Sequence, residues 1–186
     1  PGPIVAKTED GLDFAYPEKS MGRVKNFYGN FAVIVRALTY VLSLGKEGIP
    51  GAAKCAVLNA NYMQARLKTK YEMAYDQICM HEFVMDIANV LHDTGCSALD
   101  VAKGMLDFGV HPPTMYFPLI VHEALMIEPT ETETKETLDE AITAFREIYD
   151  QIKNAPEAVC ACPQTTPVLR LDEVKAAREP VLKYQF

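Results

Sequence analysis

The histidines of this chain, at positions 81, 92, 111 and 122, are the side chains best suited to moving a proton near neutral pH. His81 stands in the run Cys79-Met80-His81-Glu82-Phe83-Val84. Alternation from Ile78 onward predicts a strand, with Cys79, His81, Phe83 and Met85 on one face and Met80, Glu82 and Val84 on the other. On such a strand His81 and Glu82 point to opposite sides and cannot act on each other as acid and base. Two readings of His81 stay open: a hydrogen-bonded core histidine packed with Phe83, or a group that donates to a carboxylate or shuttles a proton. His92-Asp93 and His122-Glu123 are ordinary pairings for a solvated surface. His111 precedes Pro112-Pro113, whose rigid extended backbone could fix Thr114 and Tyr116 at the rim of a cleft or could simply turn the chain into a strand.

The acidic run Glu128-Pro129-Thr130-Glu131-Thr132-Glu133 offers hard oxygen ligands but lacks the glycine turn of a calcium loop. Helix initiation explains it better, because threonines cap helices and acids favour a helix N-terminus. No metal site is expected. The five cysteines, Cys55, Cys79, Cys96, Cys160 and Cys162, are odd in number and widely spread. That pattern suits a reducing compartment and a cytoplasmic protein, and a single Cys-x-Cys is too little for zinc.

The elements that must position these groups fit a chain of 186 residues with 49% hydrophobic content, long enough to bury a core without disulfides. A net charge of -7 argues against nucleic-acid or anionic-membrane partners, which reward clustered lysine and arginine. The longest apolar stretch, Phe31 to Leu44, is interrupted by Arg36 and too short to span a bilayer. Pro1-Gly2-Pro3 resembles an interior linker rather than a leader.

Residues 1–19 read as an entry segment with short strands around Asp10-Gly11. Ser20 is a candidate cap for a helix carrying Val24, Phe27, Phe31, Ile34, Leu38 and Val41, ended by Gly45. Gly48-Ile49-Pro50-Gly51 reads as a turn before a second helix, Ala52 to Leu67. Residues 20–72 would thus be a helical linker region. From residue 73 to 186 a C-terminal α+β small domain is expected: a strand near Ile78, a helix capped by Ser97 with Asp100 and stopped at Gly109, and strands at Tyr116-Phe117 and Leu125-Met126-Ile127. Thr134 would cap a last long helix with Leu138, Ile142, Phe145, Ile148, Tyr149 and Ile152 on one stripe. A polar loop, 154–167, and a partly helical tail follow. The fold class is α+β: a helix pair, then a small antiparallel sheet with helices on one face.

Several words, in order, carry a resemblance over almost the whole chain: Ser20-Met21-Gly22-Arg23, Phe27-Tyr28-Gly29-Asn30-Phe31, Asn59-Ala60-Asn61-Tyr62, the Cys79 to Val84 run, His111-Pro112-Pro113-Thr114, the Glu128 to Glu133 run, and Thr166-Pro167-Val168-Leu169-Arg170-Leu171-Asp172-Glu173. Together they resemble the C-terminal part of glycine decarboxylase, the pyridoxal-phosphate-dependent P-protein of the glycine cleavage system. The ending Pro180 to Tyr184 resembles subunit 2 of the two-subunit bacterial form.

The resemblance implies the C-terminal small domain of a fold-type I pyridoxal-phosphate enzyme. The full enzyme would decarboxylate glycine and pass the aminomethyl group to the lipoyl arm of the H-protein, with a homologous subunit 1 and an N-terminal large domain as further partners. Family members hold the cofactor on a lysine directly after a histidine, near a glycine-rich loop. The residues after the histidines here are Glu82, Asp93, Pro112 and Glu123, so no cofactor-binding residue is expected in this chain and the chain alone should be inactive. The resemblance moves His81 toward the mouth of the active site. Enzymes of this general fold often grip a substrate carboxylate with arginine, and Arg36, set between Val35 and Ala37, is the candidate, beside the alternative of a salt bridge to a neighbouring helix. The rival to the enzyme reading is a non-catalytic interaction domain derived from the same fold.

Overall fold

The computed structural model describes residues 3–24 and 26–184, so the expected linker start at Pro1-Gly2 and the last residues of the expected tail lie outside the described residues. The chain divides into two compact units, with the boundary between Glu47 and Gly48.

In the first unit, β1 (Ile4–Thr8) pairs antiparallel with β2 (Gly11–Ala15), from Ile4 opposite Ala15 to Thr8 opposite Gly11. Phe14 of β2 stacks on Tyr28 at 4.4 Å, and the Arg23 guanidinium lies 5.2 Å from the Tyr28 ring. Ser20 does not cap a helix. Its Oγ accepts from Gly22 N at 3.1 Å, and Gly22 and Gly29 take φ of +83° and +148°, which no helix continues through. The helix α1 (Phe31–Leu67) starts only after Asn30, whose Oδ1 accepts from Val33 N at 3.3 Å.

Gly45 breaks α1 with φ 63° and ψ −168°. The turn expected at Gly48 to Gly51 is instead helical, and Pro50 is tolerated because it stands little more than one turn beyond the break and removes one early bond only.

In the second unit the C-terminal stretch of α1 buries Ala60, Met63 and Leu67. There follow β3 (Glu72–Met73), β4 (Phe83–Asp86), α2 (Ala88–Leu91), α3 (Ala98–Asp107), β5 (Thr114–Met115), β6 (Ala124–Ile127), α4 (Lys135–Asn154), α5 (Pro156–Cys160) and α6 (Glu173–Arg178). The strands form one antiparallel sheet in the order β3-β4-β6-β5. Phe83 faces Ile127 and Met85 faces Leu125 in register, so these residues share one side. All of them are buried with the stripes of α1, α3 and α4, and this is the core. The fold is the expected α+β arrangement with helices on one face of a small antiparallel sheet.

α4 follows its sequence pattern closely. Thr134 Oγ1 accepts from Thr137 N, and Leu138, Ile142, Phe145, Ile148 and Ile152 are buried, each contributing on the order of 1.5–3 kcal/mol by leaving water. Tyr149 is half-buried, its ring 5.3 Å from that of Tyr71. The Ser97 and Asp100 capping box opens α3 as expected, and Gly109 takes φ 71° just beyond its end. A methyl on Gly104 would meet Ile148 Cδ1 at 3.3 Å, so the missing side chain is what lets α3 approach α4.

Three further expectations change. The strand expected from Ile78 begins only at Phe83, because the residues before it have no paired neighbour. The strand expected at Tyr116-Phe117 lies at Thr114–Met115, since Tyr116 turns out of the extended region at φ 57°. The polar loop 154–167 contains α5, opened by Pro156 in its first turn. Among the described residues, no helix is long and apolar enough to cross a membrane.

Candidate functional site

The alternation that buries Phe83 and Met85 turns Val84 to the other side of the sheet, opposite Met126 of β6. Helices do not bury this side: Val84 and Met126 are half-buried, and Thr114, next in register to Met126, is exposed. An open depression of about 520 Å³ forms over Val84 and Met126. Its walls are the loop 74–82 between β3 and β4, Phe117-Pro118 after β5, and Gln64 of α1.

Beyond Ala74, whose N–H donates to Val84 O, the 74–82 loop has no strand partner and is held by side chains of α1 and of Lys68 just after it. Asn61 Oδ1 accepts from Cys79 N at 3.0 Å while its Nδ2 donates to Cys79 O at 2.8 Å. Gln64 Nε2 donates to Tyr75 O at 3.4 Å, and Lys68 reaches Asp76 at 3.3 Å. Burial pushes the Cys79 thiol up from its ordinary value, so it stays protonated at neutral pH.

His81 projects from this anchored loop, 54% exposed, with Nε2 at 3.9 Å from both Glu82 Oε2 and Glu128 Oε1. The expectation that His81 and Glu82 point apart therefore fails. It assumed a pleated strand, and off the strand neighbouring side chains can converge. A histidine between two carboxylates can hold a proton or receive one from a bound molecule, and the acids give the rim a preference for cationic groups.

Among the other candidates, Thr114 lies on the same open side through its register with Met126, but Tyr116 turns away and its hydroxyl accepts weakly from Leu99 N at 3.4 Å. His111 is exposed ahead of β5. Arg36 is exposed on α1 before Gly45, in the first unit. Sequence reasoning missed Asn61 and Gln64, which hold the loop. Asn61 stands in the word Asn59-Ala60-Asn61-Tyr62, which marks the segment but not its contact with Cys79.

The residues lining the depression include neither lysine nor arginine. They offer no amine for an imine with pyridoxal and no cation for a phosphate, so the depression does not fit that cofactor. Among the described residues, no group of three or more His, Cys, Asp or Glu could hold a metal ion.

Residues 52–170 match the model of a family described as glycine dehydrogenase, C-terminal domain. The chain belongs to this family. It is 52% identical to a probable glycine dehydrogenase (decarboxylating) subunit 2 of Treponema denticola and 51% identical to that of Fervidobacterium nodosum, covering 100% of this chain and 39% of each relative. The subunit 2 of Exiguobacterium sibiricum is 53% identical over 100% of this chain and 38% of its own length. The chain therefore spans about two-fifths of the curated relatives it matches. The fold also matches a crystal structure of glycine decarboxylase (P-protein) of the glycine cleavage system in inhibitor-bound form, with a TM-score of 0.65 and 19% identity over 80% of this chain and 35% of that one. The α+β arrangement described above is thus the fold of a glycine dehydrogenase C-terminal domain.

Proposed function

We propose that this chain is the C-terminal part of a cytoplasmic glycine dehydrogenase (decarboxylating) subunit 2, and that the open side of its sheet forms one wall of the substrate cleft. Residues 1–19 would enter from a large domain outside this chain, 20–72 would link, and 73–186 would form the small domain, with the last turns of α1 built into its core. The observation that carries the reading is the asymmetry of the sheet: one side is sealed by helices, and the other presents His81 between Glu82 and Glu128 on a loop anchored by Asn61.

Pyridoxal phosphate would be held by the large domain, because the wall described here does not fit it; when bound, it supplies the electron sink for loss of carbon dioxide from glycine. The wall's own work is positioning and proton handling. His81 donates to the substrate or returns a proton to it, with the Glu82 and Glu128 carboxylates flanking the imidazole at 3.9 Å. Thr114 would stand at the rim, with His111 ahead of it on the same segment and Tyr116 beyond it turned toward the start of α3, and Arg36 is the candidate for gripping the carboxylate. The subunit would pair with a homologous subunit 1 and pass the aminomethyl group to the lipoyl arm of an H-protein.

The test is exchange of labelled bicarbonate into the carboxyl group of glycine by full-length subunit 2 assembled with subunit 1 and H-protein. Glycine-dependent exchange supports the reading. A fully assembled, cofactor-loaded complex that neither exchanges label nor releases carbon dioxide from glycine contradicts it, and leaves an interaction domain as the better account.

A further inference from the structure

We propose that Cys96 and Cys160 form a reversible disulfide, making the corner between α3 and α5 a covalent modification site for a small-molecule disulfide oxidant. The inference stands on the packing of the second unit and is independent of the reaction proposed above.

The two sulfurs lie 2.8 Å apart although their residues are 64 positions apart in sequence. A disulfide bond is about 2.05 Å long, so closure needs a movement of less than about 1 Å. Neither cysteine sits in a wandering segment. Cys96 N donates to Thr94 Oγ1 at 3.2 Å, Thr94 donates in turn to Leu91 O at 2.6 Å, and the next residue, Ser97, opens α3 with its capping box. Cys160 is the last residue of α5, whose end is fixed by Ala161 N donating to Glu157 O at 3.1 Å. Cys96 Sγ also lies 3.2 Å from Pro156 O, so the sulfur is aimed at α5.

Both cysteines are half-buried, open enough for a small reagent and too enclosed for casual pairing with another protein. The remaining cysteines differ. Cys162 is buried and its thiol donates to Ala158 O at 3.4 Å, while Cys55 and Cys79 lie on or beside α1.

The Cys96 thiol donates to Pro156 O at 3.2 Å, and burial, with the Cys160 thiol alongside, pushes it up to about 12, so its proton is engaged and the first attack is assigned to the neighbouring Cys160 sulfur. The Cys160 thiolate attacks one sulfur of RSSR, forming a mixed disulfide and releasing RS⁻. Cys96 then gives up its proton and attacks Cys160 Sγ, releasing the second RS⁻. The released thiolates take up the two protons. Two protein thiols are oxidised, and RSSR is reduced to two RSH.

Full-length subunit 2 would be incubated with oxidised glutathione at neutral pH, its free thiols blocked by alkylation, and its peptides mapped by mass spectrometry before and after dithiothreitol. The expected product is a Cys96–Cys160 cross-linked peptide that dithiothreitol removes, together with a rise of several degrees in the melting temperature of the domain. Cys96→Ser should stop at Cys160 carrying glutathione, and Cys162→Ser should leave the cross-link intact. Alkylation of both Cys96 and Cys160 after oxidation, or preferential linkage through Cys162, Cys79 or Cys55, would overturn the proposal. The wild-type peptide map decides the matter even where a serine variant folds poorly.

Discussion

Asn61 holds the backbone of Cys79 from both sides, accepting from its N–H at 3.0 Å and donating to its carbonyl at 2.8 Å. Its Nδ2 also donates to Val57 O at 2.8 Å on its own helix. One amide thus satisfies both polar groups of a residue that has no strand partner, and fixes the loop carrying His81. Neighbouring residues do similar work elsewhere: Asn59 donates to Thr130 O at 2.9 Å, and the Tyr62 hydroxyl donates to Asp139 on α4.

Replacing Asn61 by alanine should destabilise the domain by about 1–3 kcal/mol, the cost of stranding two partly buried backbone groups. Asn61→Asp keeps the acceptor but loses the donor, and should fall between wild type and alanine. Denaturant unfolding measures the loss. Amide hydrogen exchange should quicken at Cys79 more than at Met85 in the core strand.

Asp107, at the end of α3, accepts from Gln164 N, Thr165 N and Thr165 Oγ1, each at 2.8 Å. Burial pushes its carboxyl up, but the hydrogen bonds from Thr165 and Gln164 outweigh this and hold it below the usual value. A depressed carboxyl pKa contributes stability that is present above its unfolded value, about 3.9, and is lost as pH falls through the folded value. Asp107→Asn should therefore destabilise the domain at neutral pH, by about 1–3 kcal/mol for hydrogen bonds to a charged acceptor, and the difference from wild type should shrink below about pH 4. Thermal melts of both proteins across this range check it.

The long periodic elements were the legible part of the sequence. α4 shows its cap at Thr134 and its stripe from Leu138 to Ile152 because burial on one side imposes a period that local residues must obey. The capping box at Ser97 was legible for a similar reason: both of its partners lie within one turn. The start of α1 was not, because Val24 and Phe27 keep helical spacing while Gly22 and Gly29 hold the backbone outside the helical region. The loop at His81 carries a strand-like alternation, but alternation alone cannot reveal whether a neighbour is present to pair with. Asn61 acts on Cys79 through the tertiary fold, and no local pattern announces such a contact.

Arg170 joins the segment after α5 to the start of α3, with Nη2 at 2.5 Å from Asp100 Oδ1 and Nε donating to Cys162 O at 2.6 Å. Asp100 is buried and its other oxygen closes the capping box on Ser97. Asp100→Ala should cost more than Arg170→Met, because it removes the cap and the ion pair together and leaves a guanidinium without its partner. About 1–3 kcal/mol is expected for the first, from the lost cap and a partly exposed ion pair, and less for the second. Melting curves of the two variants rank them directly.

The first unit exposes a run of large apolar side chains, among them Phe27 at 67% and Phe31 at 79% exposure. Tyr62, farther along α1, is by contrast half-buried and bonded to Asp139. The chain produced by itself should bind an apolar dye or self-associate, and Phe31→Glu should reduce both effects. Light scattering and dye fluorescence test it; a dye-silent monomer would show that this apolar run needs no cover.

The most direct test of the proposed cleft wall is His81→Gln in full-length subunit 2, assembled with subunit 1 and H-protein. Turnover, read as exchange of bicarbonate with the glycine carboxyl, and unfolding are measured on the same preparation. His81 is half-exposed with its carboxylate neighbours at 3.9 Å, so its removal should leave the melting temperature nearly unchanged. Turnover should fall by something on the order of a hundredfold, as for a positioned acid-base group. Normal turnover per folded enzyme, with or without lost stability, would contradict the account and remove His81 from the site.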